Sequence, residues 1–225
     1  MSSVSAATEY ARQQMVRQQV RTWDILDVRI LDALRTVPRE EFAPAAYRHV
    51  AFADDVIPLG HGQGMLPPKI DGKILQALAL SDTDKVLDVG SGSGFLAACF
   101  GRLAGQVRSL EVFPDLAEQA RMNLQRAAAN NVAVEIADVF SLAPSQLGEQ
   151  RYDAIAISGS LPMLDERFAN ALQIGGRLFA VVGSGPVMTA LKIVRTAKNQ
   201  LQQIVLFETN IAPLLNAPRP SSFVF

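Results

Sequence analysis

The chain has 225 residues, with 21 Lys and Arg against 22 Asp and Glu. The net charge of −1 gives no long-range attraction to nucleic acid or to an anionic membrane, so we expect neither partner. The sequence contains no run of about 18 apolar residues and no signal-peptide pattern, so we expect a cytoplasmic protein. The one cysteine, Cys99, excludes an internal disulfide, and His49 and His61 are too few to predict a metal site.

The first third of the chain predicts a helical segment followed by a loop. Apolar residues at helical spacing between 8 and 34 predict two amphipathic helices. Pro58–Pro68 contains too much glycine and proline for a helix or a central strand, and a third helix is expected at Ile70–Leu80. We therefore expect residues 1–70 to form a helical cap with a loop, packed as one compact unit on a domain formed by residues 71–225.

Strands and helices alternate through the rest of the chain. This alternation predicts an α/β fold with a doubly wound, Rossmann-like sheet, whose ligand binds at the carboxyl ends of the strands. The predicted strands lie at 85–89, 107–111, 132–137, 153–157, 177–183, 202–210 and 221–225, and the predicted helices at 95–104, 114–129, 162–173 and 186–199.

The stretch Val86–Leu96 reads as a buried strand that ends in a glycine-rich turn and opens a helix. Gly90, Gly92 and Gly94, with Ser91 between the first two, allow a tight turn and let a ligand approach main-chain N–H groups. The helix that follows adds free donors and a positive partial charge. Such a turn favours a nucleotide-like cofactor.

Asp88 bears on which cofactor this is. The turn also fits the G-x-G-x-x-G/A dinucleotide fingerprint, so a nicotinamide-dependent oxidoreductase is an alternative. However, a carboxylate two residues before Gly90 suits a cationic ligand better than a pyrophosphate. S-adenosylmethionine carries a sulfonium and an ammonium and no phosphate, so the pattern favours S-adenosylmethionine, with S-adenosylhomocysteine as its product.

Two further acids are spaced as such a site requires. Glu111 follows Gly90 by about twenty residues, at the end of the next predicted strand, where an acid can accept both ribose hydroxyls. Dinucleotide sites share that feature. Asp138 ends the alternating run at 132–137 and places an acceptor where an adenine amino group can be bound.

With these motifs in view, the chain resembles the protein-L-isoaspartate O-methyltransferase family over nearly its whole length. The Val37–Pro44 segment and the N-terminal helices are the most specific parts of this resemblance, whereas the glycine turn occurs in many methyltransferases. The segments that carry the resemblance are Met15–Val20, Asp27–Leu31, Val37–Pro44, Val86–Gly94, Tyr152–Ile155 and Gly175–Leu178.

The resemblance implies an S-adenosylmethionine-dependent enzyme of protein repair that methylates the carboxylate of isoaspartyl residues in damaged proteins or peptides. We expect a monomer or a homodimer. Such a reaction needs no general base because a carboxylate is already ionised at pH 7; alignment with the methyl group and exclusion of water supply the rate. The expected cofactor-binding residues are Asp88, Gly90, Ser91, Gly92, Gly94, Glu111 and Asp138.

One departure from the family lies in the substrate loop. After Gly-x-Gly-Gln the family has Thr-Ile-Ser, whose hydroxyls help to hold the substrate carboxylate, but this chain has Gly64, Met65 and Leu66 after Gln63. A charged group that loses its hydrogen-bond donor costs about 1–3 kcal/mol. These four residues are the candidate substrate-binding residues. Two alternatives therefore stay open: methyl transfer to another acceptor, and a cofactor-binding protein with little catalysis.

Overall fold

The structure, a computed structural model, describes residues 6–148 and 151–219. Its N-terminal part confirms the two predicted amphipathic helices. Helix α1 (Ala6–Gln14) runs on through a π-helical turn and a 3₁₀ turn to Asp24, which has a left-handed conformation. Asp27 caps α2 (Val28–Thr36) by accepting from the main-chain N–H of Arg29. The N-terminal helices are α1 (Ala6–Gln14), α2 (Val28–Thr36) and α3 (Arg39–Phe42).

The glycine- and proline-rich loop is more ordered than the sequence predicts. It forms an antiparallel hairpin of strands β1 (Ile57–Gly60) and β2 (Gln63–Met65), whose turn at Gly60–Gly62 has positive φ at each residue. Helix α4 (Pro68–Leu78) follows, with proline in its first turn, where a missing N–H costs nothing. No described helix is both long and apolar enough to cross a bilayer.

Within the described residues, the main sheet has seven strands. They are β3 (Lys85–Val89), β4 (Gln106–Glu111), β5 (Val132–Ile136), β6 (Tyr152–Leu161), β7 (Leu172–Val182), β8 (Met188–Ala197) and β9 (Gln200–Thr209). Their order across the sheet is β5-β4-β3-β6-β7-β8-β9; the first four pairings in this order are parallel, and the last two, β7 with β8 and β8 with β9, are antiparallel. The intervening helices are α5 (Phe95–Leu103), α6 (Pro114–Arg126), α7 (Pro144–Leu147) and α8 (Glu166–Ala171).

The predicted helix at 186–199 is wrong, because this segment is strand β8. The five-residue connection at 183–187 is too short for a helical crossover, so the chain returns antiparallel to β7. The segment alternates between buried and more exposed positions over much of its length. The helix predicted at 162–173 is also too long, since only α8 forms there. The predicted strand at 221–225 lies outside the described residues.

The sheet separates two apolar layers. On β6, Ala154 and Ala156 face a layer that includes residues of α2, α4 and α5, whereas Ile155 and Ile157 face the other layer. The N-terminal helices therefore share a continuous core with the sheet. A domain boundary at residue 70 stays a prediction.

Gly94 provides a test of how the turn is packed. It has φ +84°, and a Cβ there would lie 3.3 Å from Cα, Cβ and O of Ala120 on α6. We expect Gly94→Ala to lower the free energy of unfolding by about 1–3 kcal/mol, because a side chain is disfavoured in this conformation and the contact is tight. Urea denaturation measures this change.

Gly185→Ala is the matched control for this substitution. Gly185 lies outside the positive-φ region and has no heavy atom within 4 Å of its added Cβ. We expect Gly185→Ala to change the free energy of unfolding of the protein by less than about 0.5 kcal/mol. Equal losses in the two variants would contradict the account of Gly94.

Candidate active site

A cavity lies at the carboxyl ends of β3, β4 and β6 and beyond the end of β5, next to the point where the chain crosses from one side of β3 to the other. This is the position that a doubly wound sheet favours for a ligand. The cavity measures about 850 Å³ when its open mouth is counted. The β1–β2 hairpin and the C-terminal segment around Leu214 complete its walls.

The glycine turn after β3 forms one wall of this cavity. Gly90, Gly92 and Gly94 have φ values of +97°, +52° and +84°, which glycine adopts without steric cost. The main-chain N–H groups of Gly90 and Ser91 donate to the carbonyl oxygen of Leu110 at 2.9 and 3.2 Å. The turn is therefore fixed to β4. Gly90, Ser91 and Gly92 line the cavity, whereas Gly94 is not among its lining residues.

Glu111 ends β4 on the cavity wall, and its side chain is held from two sides. Its Oε2 accepts from the N–H of Gly92 at 2.8 Å, and its Oε1 accepts from the N–H of Phe113 at 3.1 Å. The residue is only 5 % exposed. A carboxylate oxygen can accept more than one hydrogen bond, so each oxygen retains capacity for a ligand hydroxyl.

Asp138 also lines the cavity and is held by several donors. Its Oδ1 accepts from the N–H of Phe140 at 2.9 Å, and its Oδ2 accepts from Ser141 Oγ and from Asn216 Nδ2, both at 2.9 Å. The contact with Asn216 shows that the C-terminal segment reaches the site, which the sequence analysis did not predict. These bonds fix the carboxylate two residues beyond β5.

Asp88 lies behind the cavity wall rather than on it. It is 1 % exposed, it is not among the lining residues, and its Oδ2 accepts from Ser109 Oγ at 2.6 Å. Burial raises the pKa of Asp88 to about 7; the Ser109 hydrogen bond opposes this shift and the charge of Glu111 adds to it. Its expected approach to a cationic ligand stays a prediction, and the geometry provides no direct route for it.

The four candidate residues of the substrate loop line the same cavity as the glycine turn. Gln63, Gly64 and Met65 form β2, and Leu66 follows them with its side chain buried. The structure therefore brings the loop and the turn together. None of these four side chains carries a hydroxyl.

The tip of the hairpin is anchored next to the cavity. The His61 ring stacks on Phe113 with 4.1 Å between ring centroids, and its Nε2 lies 2.9 Å from Asp115 Oδ2 in the first turn of α6. This hydrogen bond lowers the pKa of the Asp115 carboxyl. Phe113 itself lines the cavity, so these contacts hold the hairpin over the opening. The sequence indicates only that His61 is not part of a metal site, and this contact is not predicted from it.

Asp71 is a further cavity residue that the sequence analysis missed. It lies in the first turn of α4, where it pairs with the fully buried guanidinium of Arg39 at 2.7 Å. Burial lowers the pKa of Arg39 and raises that of Asp71 to about 7, although the two charges oppose these shifts. One signal was available in the sequence: an acid directly beside Ile70 on the otherwise apolar face of an amphipathic helix.

Comparisons with a family model and with related sequences identify the same family. The sequence model of the family described as protein-L-isoaspartate(D-aspartate) O-methyltransferase matches residues 10–217. A protein-L-isoaspartate O-methyltransferase of Koribacter versatilis is 36 % identical over 205 residues, which cover 91 % of this chain and 90 % of that protein. One of Methanoculleus marisnigri is 35 % identical over 204 residues, which cover 91 % of each chain.

Solved structures of this kind share the fold. A Plasmodium falciparum chain described as a protein-L-isoaspartate O-methyltransferase, in complex with S-adenosyl-L-homocysteine, matches with a TM-score of 0.80 at 19 % identity, covering 90 % of this chain and 97 % of that one. A second protein-L-isoaspartate O-methyltransferase matches with a TM-score of 0.75 at 22 % identity, covering 90 % and 65 %. These matches confirm the predicted Rossmann-like fold. Together with the extent of the sequence match, they lead to one assignment: the chain belongs to the protein-L-isoaspartate(D-aspartate) O-methyltransferase family.

Proposed function

We propose that this chain is an S-adenosylmethionine-dependent methyltransferase that esterifies the carboxylate of isoaspartyl residues in damaged proteins or peptides. Membership of the family supports both the reaction and the substrate class. The cavity supports the choice of cofactor independently of the family. One observation carries that choice: the sign of the charges that surround the cavity.

Of the described residues that line the cavity, three are acids and none is Lys or Arg. The acids are Asp71, Glu111 and Asp138. A pyrophosphate in this position would meet carboxylates and no cationic side chain, whereas the sulfonium and ammonium of S-adenosylmethionine would meet charges of the opposite sign. The charges thus favour S-adenosylmethionine over a dinucleotide.

The order of the strands suggests how the cofactor lies. Asp138 follows β5 and would bind the adenine, and Glu111 ends the neighbouring β4 and would bind both ribose hydroxyls. The glycine turn follows β3, and because its glycines carry no side chain it would receive the methionine half against Gly90, Ser91 and Gly92. Because Gly92 and Phe113 already fix the Glu111 carboxylate, little reorganisation is needed when the ribose binds.

In this proposal the protein aligns the reactants and excludes water. The cofactor, when bound, would supply an electrophilic methyl group. An acceptor carboxylate would form the new C–O bond as the C–S bond broke, giving a methyl ester and S-adenosylhomocysteine. No proton moves, so the chain needs no general base. The apolar side chains of Leu59, Leu66, Phe95 and Leu214 line the cavity and would keep water away from the methyl group.

A second candidate function is the same methyl transfer to a different acceptor. The observation in its favour is the hydroxyl-free wall formed by Gly64, Met65 and Leu66. With this wall, an isoaspartyl carboxylate beside the loop would depend for its hydrogen bonds on main-chain donors, on Gln63 or on a serine elsewhere on the cavity wall. An apolar or uncharged acceptor would leave no such charge to satisfy.

Glu111→Ala tests the cofactor assignment. We expect this substitution to weaken S-adenosylmethionine by about 1.5–3 kcal/mol, as for hydrogen bonds to a charged group, because both ribose contacts are lost. Isothermal titration calorimetry measures the change. Glu118→Ala is the control, since Glu118 lies on the exposed side of α6 and, among the residues that the structure describes, forms an ion pair with Arg121 alone. Equal affinity in the Glu111 variant and the wild type would remove Glu111 from the site.

Transfer of a radiolabelled methyl group to an isoaspartyl peptide, beside its normal aspartyl twin, tests the acceptor. We expect methylation of the isoaspartyl peptide alone, at a low rate. Gly64→Thr with Leu66→Ser restores both hydroxyls and should raise that rate about tenfold, because one charged hydrogen bond recovers roughly 1.4 kcal/mol. A Cβ at Gly64 would lie 2.3 Å from Val56 Cγ1, so Val56→Ala is included in this variant.

Val56→Ala alone is the control, because Val56 is 47 % exposed and is not among the residues that line the cavity. Its rate should equal that of the wild type. A wild-type rate equal to that of a family member with Thr-Ile-Ser would show that main-chain donors suffice. Absence of isoaspartyl methylation in every variant, with cofactor binding intact, would favour the second candidate function.

A further inference from the structure

The cavity contains one acid that the proposed binding of the adenosine half does not use. Asp71 lines the cavity and is only 2 % exposed. Its Oδ2 accepts from Arg39 Nη1 at 2.7 Å. Among the described residues, no hydrogen bond to its Oδ1 is found. A buried carboxylate that lines a ligand cavity, and whose second oxygen accepts no hydrogen bond from the described residues, can accept one from a donor on the ligand.

Arg39 holds Asp71 in place. Its Nε donates to the carbonyl oxygen of Ala51 at 2.7 Å and its Nη2 to that of Leu66 at 2.5 Å, while its guanidinium lies 4.8 Å from the ring centroid of Phe95. The guanidinium is therefore fixed by three segments of the chain, and it fixes the carboxylate in turn. A carboxylate held in this way binds a ligand with little further loss of conformational entropy.

The position of Asp71 corresponds to the methionine half of the proposed cofactor. The adenine and ribose positions lie over β5 and β4, so the amino-acid end continues toward β3 and β6. Asp71 pairs with Arg39, whose guanidinium lies over the ring of Phe95 at the start of α5, directly after the glycine turn that follows β3. Asp71 thus lies at the amino-acid end of the proposed cofactor position, beyond Asp138 at the adenine and Glu111 at the ribose.

We propose that Asp71 binds the α-ammonium group of S-adenosylmethionine, with Arg39 as the residue that positions it. This inference rests on the proposed cofactor and is independent of the methyl acceptor. Leu66 and Phe95, which both contact Arg39, also line the cavity and offer an ammonium only apolar side chains. A buried cation without a partner is costly, so a carboxylate at this point stabilises the bound cofactor.

The contact makes cofactor affinity depend on pH. Burial raises the pKa of Asp71 to about 7, with the charge of Arg39 opposing the shift. The other titratable groups that face this pair are the Cys99 thiol, whose pKa burial raises well above its ordinary value, and Asp88. An ammonium bound to Asp71 favours its ionised form and lowers its pKa, so binding becomes stronger as pH rises through 7.

The test is calorimetric titration of S-adenosylhomocysteine, which retains the ammonium, into the wild type, Asp71→Asn and Asp88→Asn. Between about pH 6 and about pH 7.5 we expect the wild-type affinity to rise roughly tenfold and the Asp88→Asn affinity to rise similarly. In Asp71→Asn we expect no such rise, and an affinity roughly 10- to 100-fold below the wild type at the higher pH.

Asp71→Asn leaves the buried Arg39 without its counter-charge, so a second probe that needs no substitution is included. The deaminated analogue of S-adenosylhomocysteine, which retains the carboxylate, should bind the wild type with an affinity that does not rise over this pH range. An equal rise for both ligands would overturn the proposal. So would loss of the pH dependence in Asp88→Asn but not in Asp71→Asn. Failure of S-adenosylhomocysteine to bind the wild type at all would overturn the proposed function as well.

Discussion

The buried guanidinium of Arg39 is the interaction on which the shape of the cavity depends. Removing a cation from water is costly, and this one is compensated by Asp71, by two carbonyl oxygens and by the face of Phe95. These partners belong to the loop before the hairpin, the end of the hairpin, α4 and α5. One charged side chain therefore joins the N-terminal region to the helix that follows the glycine turn.

Around this space the protein provides acids and apolar side chains but, among the described lining residues, no basic side chain. This combination suits a cationic ligand that is bound with water excluded from its surroundings. It also fits a reaction that requires no proton transfer, because a methyl group on a sulfonium and an ionised carboxylate react once they are aligned and desolvated. The perturbed acids, Asp71 and Asp88, are accordingly interpreted as binding and supporting groups rather than as bases.

Local patterns predicted the parts of the site that depend on adjacent residues. The glycine turn, Glu111 and Asp138 follow from strand ends and their spacing, and the structure brings all three to one cavity. The local patterns did not predict the pairing of Asp71 with Arg39, the stacking of His61 on Phe113, or the contact of Asn216 with Asp138, since each joins segments that are distant along the chain. The error at β8 has a different cause: the apolar residues of 186–199 suit a buried helix or a buried strand, and only the short turn before them decides between the two.

The central claim is that this acid-lined cavity binds S-adenosylmethionine rather than a dinucleotide, although the glycine turn fits both. Parallel calorimetric titrations of S-adenosylhomocysteine and of NAD⁺ into the wild-type protein test this claim most directly. The account predicts that S-adenosylhomocysteine binds at a single site, that Glu111→Ala weakens this binding, and that NAD⁺ gives no binding signal. Saturable binding of NAD⁺ in the absence of any binding of S-adenosylhomocysteine would contradict it.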